Sequence, residues 1–551
     1  MEEIKPSHKA FWAVTKALKT EGYTPIPHSK PDNSVAIDDA EIAECLADSI
    51  ETQCSHASLR TTSLISVASR KRFSKTSLEP KDDLAPVSLS EVQTLVKSLN
   101  TKRHRASMAS TSQGNHATSC QLQTDQPPER SGQTIRKILK TRLSDHLLGK
   151  GLIIDEQFGF RPAHSCPQQV LRLVEYVSEG FETERSTVAV FFDVAKAFDR
   201  VWHAGLIYKL YSLQVPDRLI ITIQNYLANR HFTFRHERTH STRRLIRAGV
   251  PQGSTLSPLL YSAYTNDVPR PSSSGVQLAL FADDTALFYG NRNRSTRFTL
   301  LPLQRAIDEL GQWFRKWRIE VNPDKSAAIQ FKYGKIRSRL IVDKNTPNLK
   351  MLDAIIPWQR NYKYLGVTLD KNLHFRDHIE RVRNTALFYK ARLGAVLGRK
   401  SKLSRRNKRT IYKMCIRTVM TYASPVFAHA APKALHRLQG LRTPTISKYM
   451  KDASKRFFDI AGSHPNALLR AAVDYQPPHP THLIRLSVSQ VIDLSSLLHP
   501  AAANRLRPEE EGNRPVTVSC DILCRDDFHQ ASSIAHVTRR RHSHVPSGRT
   551  R

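Results

Sequence analysis

The chain has 551 residues, enough for two to four domains and a sizeable core. Lys plus Arg number 84 against 49 Asp plus Glu, a formal charge of +35 that marks a polyanionic partner without saying enzyme. No apolar run approaches membrane-spanning length and the amino terminus carries no signal-peptide core, so membrane and secreted classes are excluded and an intracellular protein of cytoplasm and nucleus is expected. Seven irregularly spaced cysteines suggest no disulfide framework, and Cys520 and Cys524 have no histidine at zinc-knuckle spacing.

In chain order, residues 1–100 are polar and weakly periodic. Short helices are expected over Phe11–Leu18 and Ile42–Ile50. A stronger one spans Pro86–Asn100, where Ser88 or Ser90 can cap and Val92, Leu95, Val96 and Leu99 share a face. Residues 101–133 are poor in large apolar side chains and read as disordered. Periodicity returns at about Thr134, and Ile135, Ile138, Leu139, Leu143, Leu147 and Leu148 predict an amphipathic helix. In the following Gln157-Phe158-Gly159-Phe160-Arg161-Pro162, Arg161 is a fork-shaped cation in a rigid frame, suited to a triphosphate; alone it would be an ordinary loop arginine.

Val188 to Asp193 reads as a buried strand ending in a carboxylate, and the chain from Val194 reads as a helix running towards Leu213. In Gly249-Val250-Pro251-Gln252-Gly253-Ser254-Thr255, the glycines permit close approach of a ligand, and the Ser/Thr pair starts a helix from Leu256 to about Asn266. Two apolar runs, Gln277–Ala282 and Thr285–Tyr289, predict a β-hairpin with Asp283 and Asp284 at its tip. Adjacent carboxylates repel, and a divalent cation relieves that repulsion through hard oxygen ligands. Asp193 supplies a third acid. One aspartate at a strand end is ordinarily a helix cap, but three in matching apolar context point to a metal centre.

Leu303, Ala306, Ile307, Leu310, Phe314 and Trp317 predict a helix packed beneath the sheet, followed by Asn322-Pro323-Asp324-Lys325-Ser326. Residues 371–475 read as helical and basic, and Arg405, Arg406, Lys408 and Arg409 suit phosphate-backbone contacts. Residues 476–551 form a Ser/Pro/Arg-rich, basic and disordered tail.

These motifs together resemble the polymerase of Jockey-like non-LTR retrotransposons (LINE-type elements). The carriers are Phe281-Ala282-Asp283-Asp284, the segment Phe191-Phe192-Asp193 to Phe198-Asp199, the loop Gln157 to Ser165, and Gly249 to Pro258. The resemblance covers residues 134–475 and, more loosely, 1–100, which is similar to the connector preceding such polymerases. It implies an α+β right-hand fold: a palm of antiparallel strands and helices with partial fingers over 134–370, and a helical thumb over 371–475. The implied reaction is RNA-directed DNA synthesis with two Mg2+ ions, Mn2+ as a substitute, transferring a dNTP to a DNA primer on an RNA template. Asp193 and Asp283 would be the main ligands, with Asp284 weaker. Phe198 would lie under the incoming sugar, and Gln252 and Gly253 would line the nucleotide pocket. Lys325 would protonate the leaving pyrophosphate, and Tyr364-Leu365-Gly366 would grip the primer end.

The chain departs from the family in two places. The Pro-Gly-x-Asp-Gly and Tyr-Arg-Pro-Ile segments of the fingers are missing, as is the upstream endonuclease, whose nicking another chain would supply. Codons AGG CAC CGG GCA TCG ATG GCA TCA for Arg103 to Ser110 would read Ala-Pro-Gly-Ile-Asp-Gly-Ile in another frame, so the segment is hypothesised to be a frameshifted remnant. Sequencing those codons decides it. The alternative function is a catalytically inactive relic that binds nucleic acid; a purely structural basic protein leaves the three acids unexplained.

Overall fold

The computed structural model describes residues 38–54, 121–124 and 129–474, apart from 237–238, 272–274, 293–295, 333–341, 343–345, 429 and 440–444. The helices expected at Phe11–Leu18 and Pro86–Asn100, the hypothesised remnant at Arg103–Ser110 and the tail lie outside these residues.

The chain opens with α1 (Asp39–Gln53), β1 (Gln121–Thr124), α2 (Glu129–Leu147) and α3 (Cys166–Glu182). There follow β2 (Ser186–Val194), α4 (His203–Ser212), α5 (Asp217–Leu227), β3 (His231–His236), β4 (Thr239–His240) and β5 (Arg244–Leu245). Next come α6 (Ser257–Tyr264), β6 (Gln277–Phe281), β7 (Asp284–Asn291), α7 (Thr296–Lys316) and β8 (Val321–Phe331). Three short pieces, β9 (Lys350–Met351), β10 (Ala354–Ile355) and the hairpin β11 (Asn361–Tyr364) with β12 (Val367–Asp370), precede a helical region. That region holds α8 (Arg376–Arg392), α9 (Gly394–Leu397), α10 (Arg405–Tyr412), a π-helix (Lys413–Arg417), α11 (Thr418–Thr421), α12 (Ser424–Phe427), α13 (Pro432–Gln439), α14 (Thr445–Gly462) and α15 (Ala467–Val473). The class is mixed α and β with antiparallel sheets, as expected.

The central sheet has order β6-β7-β2-β8, every pair antiparallel. Its middle strand explains the continuous apolar run. Successive side chains of a strand point to opposite faces, and here both faces are covered. Val188, Val190, Phe192 and Val194 enter one core with α2 and α4–α7; Ala189 and Phe191 enter a second with α3 and the helices after Arg376. Leu303, Ala306, Ile307, Leu310 and Phe314 of α7, and Trp317 just after it, are all buried in the first core, as the periodicity predicts. The C-terminal helices therefore share a core with the sheet. A smaller sheet, β1-β3-β4 with β5 beside β3, carries α1.

Four expectations change, and one segment without an assigned element, Asn322–Ser326, is placed. Residues 121–133, read as disordered, include β1, whose backbone β3 pairs, and the start of α2. Ile135 is 53% exposed and stands outside the apolar face. Residues 195–200 are turns and the helix begins only at His203, because Lys196 takes a positive φ of 49° that breaks the right-handed run. Asn322–Ser326 lie within β8, irregularly paired with β2 between Phe191 and Asp193. Cys166 is disulfide-bonded, whereas Cys45, Cys54 and Cys415 form no disulfide.

Candidate active site

Strand register assembles the acids. Asp193, near the end of β2, lies directly across from Asp284, the first residue of β7, and Asp284 in turn pairs with Phe281 of β6. The hairpin turn is therefore Ala282-Asp283. Two apolar strands on each side of this junction leave the carboxylates as the polar end of a buried sheet. Solvent still reaches Asp284. Enclosure of its carboxyl by protein comes first, and the charges of Asp283 and then Asp193 add to it, raising its pKa well above the ordinary carboxylate range. The hydroxyl of Tyr261 in α6, fully buried, has its pKa pushed up by burial and then by the charges of Asp283 and Asp284.

The irregularity in β8 turns Lys325 inwards, with its Nζ 3.8 Å from Asp193 Oδ2. Ser326 Oγ donates to Asn322 O at 2.7 Å and accepts from Asp193 N at 3.4 Å, so the distorted strand is tied to the residue it serves. Phe198 stacks on Tyr261, centroids 4.9 Å apart, and meets Phe160 edge-on at 5.9 Å. Gln252 is exposed, and its Nε2 donates to both carboxylate oxygens of Asp199 at 3.0 and 3.1 Å. Gly249, at φ +95°, passes so close to Asp199 that an added Cβ would lie 2.6 Å from its carbonyl oxygen. That glycine is required. Gly253, at φ +75°, is exposed beside Gln252.

The three aspartates offer only hard oxygen donors, the set a small divalent cation takes. They form no finished cage: among the described residues no group of three or more His, Cys, Asp or Glu converges on one point. A cation here would complete its shell with water or phosphate oxygens, as Mg2+ ordinarily does.

Residues 128–369 match the family model for reverse transcriptase (RNA-dependent DNA polymerase). This segment is a reverse transcriptase domain. The probable RNA-directed DNA polymerase from transposon BS of Drosophila melanogaster is 29% identical over 483 residues, covering 79% of this chain and 52% of that protein. The RNA-directed DNA polymerases from mobile element jockey of Drosophila melanogaster and Drosophila funebris are 30% and 32% identical. Those alignments cover 62% and 57% of this chain and 40% and 36% of the relatives. The chain thus spans about half, or less, of the curated relatives' length. A solved telomerase of Candida tropicalis overlays with a TM-score of 0.31 at 11% identity, covering 62% of this chain and 56% of that one. An overlay that loose supports no further statement.

The other expected site residues divide. Arg161 turns into its own loop, its Nη1 donating to Ile154 O at 2.9 Å and lying 3.6 Å from Asp155 Oδ1. Tyr364, Leu365 and Gly366 are buried, so the Tyr364 side chain belongs to the core, beside Phe191. Their two-residue turn has positive φ at Leu365 (42°) and Gly366 (82°). Its carbonyls are held by the helical region: Tyr422 Oη donates to Leu365 O at 2.9 Å and Arg381 Nη2 to Gly366 O at 2.5 Å. In the basic cluster Arg405, Arg406 and Arg409 are exposed, whereas Lys408 turns back to donate to Gly398 O and Ser401 O.

Sequence reasoning missed Asp199, Tyr261 and Gln157 as site residues. Asp199 had a signal, an acid inside a recognised motif. Tyr261 had none, because a buried tyrosine on a helix reads as core.

Proposed function

We propose that this chain is an RNA-directed DNA polymerase of a non-LTR retrotransposon, extending a DNA primer on an RNA template. The observation that carries the reading is the β2–β7 register, which sets Asp193 across from Asp284 with Asp283 beside them at the turn. Asp193 and Asp283 are the principal metal ligands and Asp284 the third. Two Mg2+ ions, when bound, lower the pKa of the primer 3′-hydroxyl and stabilise the departing pyrophosphate.

The chain's own residues do the rest. Lys325, beside Asp193, hands a proton to the pyrophosphate. Phe198, braced by Tyr261 and Phe160, forms the floor beneath the sugar and disfavours a 2′-hydroxyl. Gln252, steadied by Asp199, presents a hydrogen-bonding edge to the nucleotide beside Gly253. Arg161 reaches the triphosphate only by exchanging its loop contacts for phosphate oxygens. The central sheet is the palm, the segment around 134–165 the remaining fingers, and residues 371–475 the thumb. Arg405, Arg406 and Arg409 contact the duplex backbone, and the Leu365-Gly366 turn supports the primer end. The setting is intracellular, and nicking comes from another chain or from pre-existing ends. Among the described residues no helix is long and apolar enough to cross a membrane.

Primer extension on an annealed RNA template with dNTPs and Mg2+ tests this reading, with Asp283→Ala as the comparison. Extension is expected from the unaltered chain and a loss of at least a hundredfold in the variant. Absent extension, with equal salt-sensitive RNA binding by both proteins, would overturn it and leave an inactive nucleic-acid-binding protein.

A further inference from the structure

The turn that carries Asp283 has an awkward backbone. Ala282 sits at φ +58°, a left-handed conformation that side-chain-bearing residues adopt only when their surroundings insist. A two-residue hairpin turn commonly needs a positive φ, and glycine or asparagine ordinarily supplies it. Here the residue is alanine, so something else must hold the conformation.

Gln157 does so. Its side chain is 1% exposed and lies against the turn. Oε1 accepts from Ala282 N at 2.9 Å and from Gly159 N at 2.8 Å, and Nε2 donates to Ala282 O at 3.4 Å. One amide thus grips the residue before Asp283 through both its N–H and its C=O. The main chain around Gln157 reinforces the grip. Leu280 N donates to Glu156 O at 3.0 Å and Phe158 N donates to Leu280 O at 2.9 Å, so this loop runs alongside β6 as a short parallel bridge. Two positions on, Gly159 approaches so closely that an added Cβ would lie 2.1 Å from Ala282 N.

We propose that Gln157 is a positioning residue: it holds Ala282 in the left-handed conformation and thereby orients the Asp283 carboxylate towards Asp193. Gln157 touches no reacting atom in this reading, which rests on the polymerase function for its catalytic consequence but not for its geometry. A glutamine suits the position because it offers an acceptor for two converging N–H groups and a donor for the carbonyl. Methionine fills similar space with neither.

Hydrogen–deuterium exchange resolved at Ala282 and Asp283 decides the geometry without any assay of activity. In the unaltered protein the Ala282 amide is expected to exchange at least tenfold more slowly than an open turn. Gln157→Met is expected to remove that protection while amides elsewhere in β6 and β7 stay protected. An Ala282 amide already exchanging like an open turn in the unaltered protein would overturn the proposal, even if Gln157→Met fails to fold.

Primer extension then tests the consequence. Gln157→Met is expected to lower kcat at least tenfold and raise the Mg2+ concentration needed for half-maximal rate, with KM for dNTP changed less than threefold. Ala282→Gly, which tolerates positive φ unaided, is expected to restore at least threefold of that kcat when combined with Gln157→Met. Identical losses with and without Ala282→Gly would mean that Gln157 serves only packing. If the unaltered chain extends no primer at all, the polymerase reading falls while the exchange result still decides the clamp.

Discussion

Glu175 sits in the middle of α3 with its side chain buried, and its Oε1 finds no hydrogen-bond partner among the described residues. Burial, and secondarily Glu182, push its pKa up to about 8. The folded chain therefore holds this proton more tightly than the unfolded chain, whose carboxyl titrates near 4.5. Stability is highest below that lower value and falls as pH rises towards about 8, by up to about 1.4 kcal/mol per pH unit inside the window. Urea midpoints at pH 5 and pH 8 should show this fall in the unaltered chain and a clearly smaller one in Glu175→Gln. At this scale the sequence revealed acids framed by apolar runs, namely Asp193, Asp283 and Asp284, because charge in that context has no structural use. It hid residues that act through the backbone. Nothing in the string Gln157-Phe158-Gly159 says that the glutamine points into another strand's turn, because the partner lies 125 positions away.

Helix α1 shows what an element gains from one counter-charge. Glu44, Asp48 and Glu51 fall at helical spacing on one face, and Arg244 of β5 meets all three, at 3.0, 2.7 and 3.1 Å. The adjoining face sets Ala47 against Phe232 and Phe234 of β3. Replacing Arg244 by Ala leaves three carboxylates in a row without their counter-charge, Glu44 keeping only its hydrogen bonds from Thr242. Exposed pairs contribute roughly 0.2–1 kcal/mol each, so α1 should open about 1–2 kcal/mol more easily. Amide exchange over residues 39–53 would accelerate on the order of 5–30-fold, and 1 M salt should shrink the difference between variant and parent. Failure of exchange to change would mean that the apolar contacts hold α1 alone. Elements with a clean period were legible, among them β2, the β6–β7 hairpin and α7. The turns at 195–200 and the distorted start of β8 were not, since both are imposed by neighbours: Ala195 N donates to Glu320 O at 2.8 Å, and Asp193 pairs with Asn322 across the irregular register.

The whole molecule is less divisible than its motifs. The match to the reverse transcriptase family ends at residue 369, yet the second core runs from Phe158 to Leu469. Cutting at 369 would leave α3 as the only helix over the face of the central sheet that carries Ala189, Phe191, Phe281, Phe288 and Phe331. Residues 128–369 alone should bind a hydrophobic dye and lack near-ultraviolet circular dichroism, whereas residues 128–474 should show a fixed aromatic signal. A rigid, dye-silent 128–369 fragment would refute the shared core.

The join at the far end is made by one loop and one asparagine. His464 Nε2 meets Ala163 O at 3.1 Å, and Asn466 Nδ2 donates to Asp155 O at 2.9 Å and contacts His164 Nε2 at 3.3 Å. Asn466 also caps α15 through its Oδ1. These partners lie 301, 311 and 302 positions apart in sequence. At roughly 5–20 residues per second of synthesis, the loop bearing Gln157 and Arg161 waits about 15–60 s on the ribosome for the helix that fastens it. Until α15 arrives, the loop has only its own contacts with β6 and the Ala282 turn to hold it beside the acids.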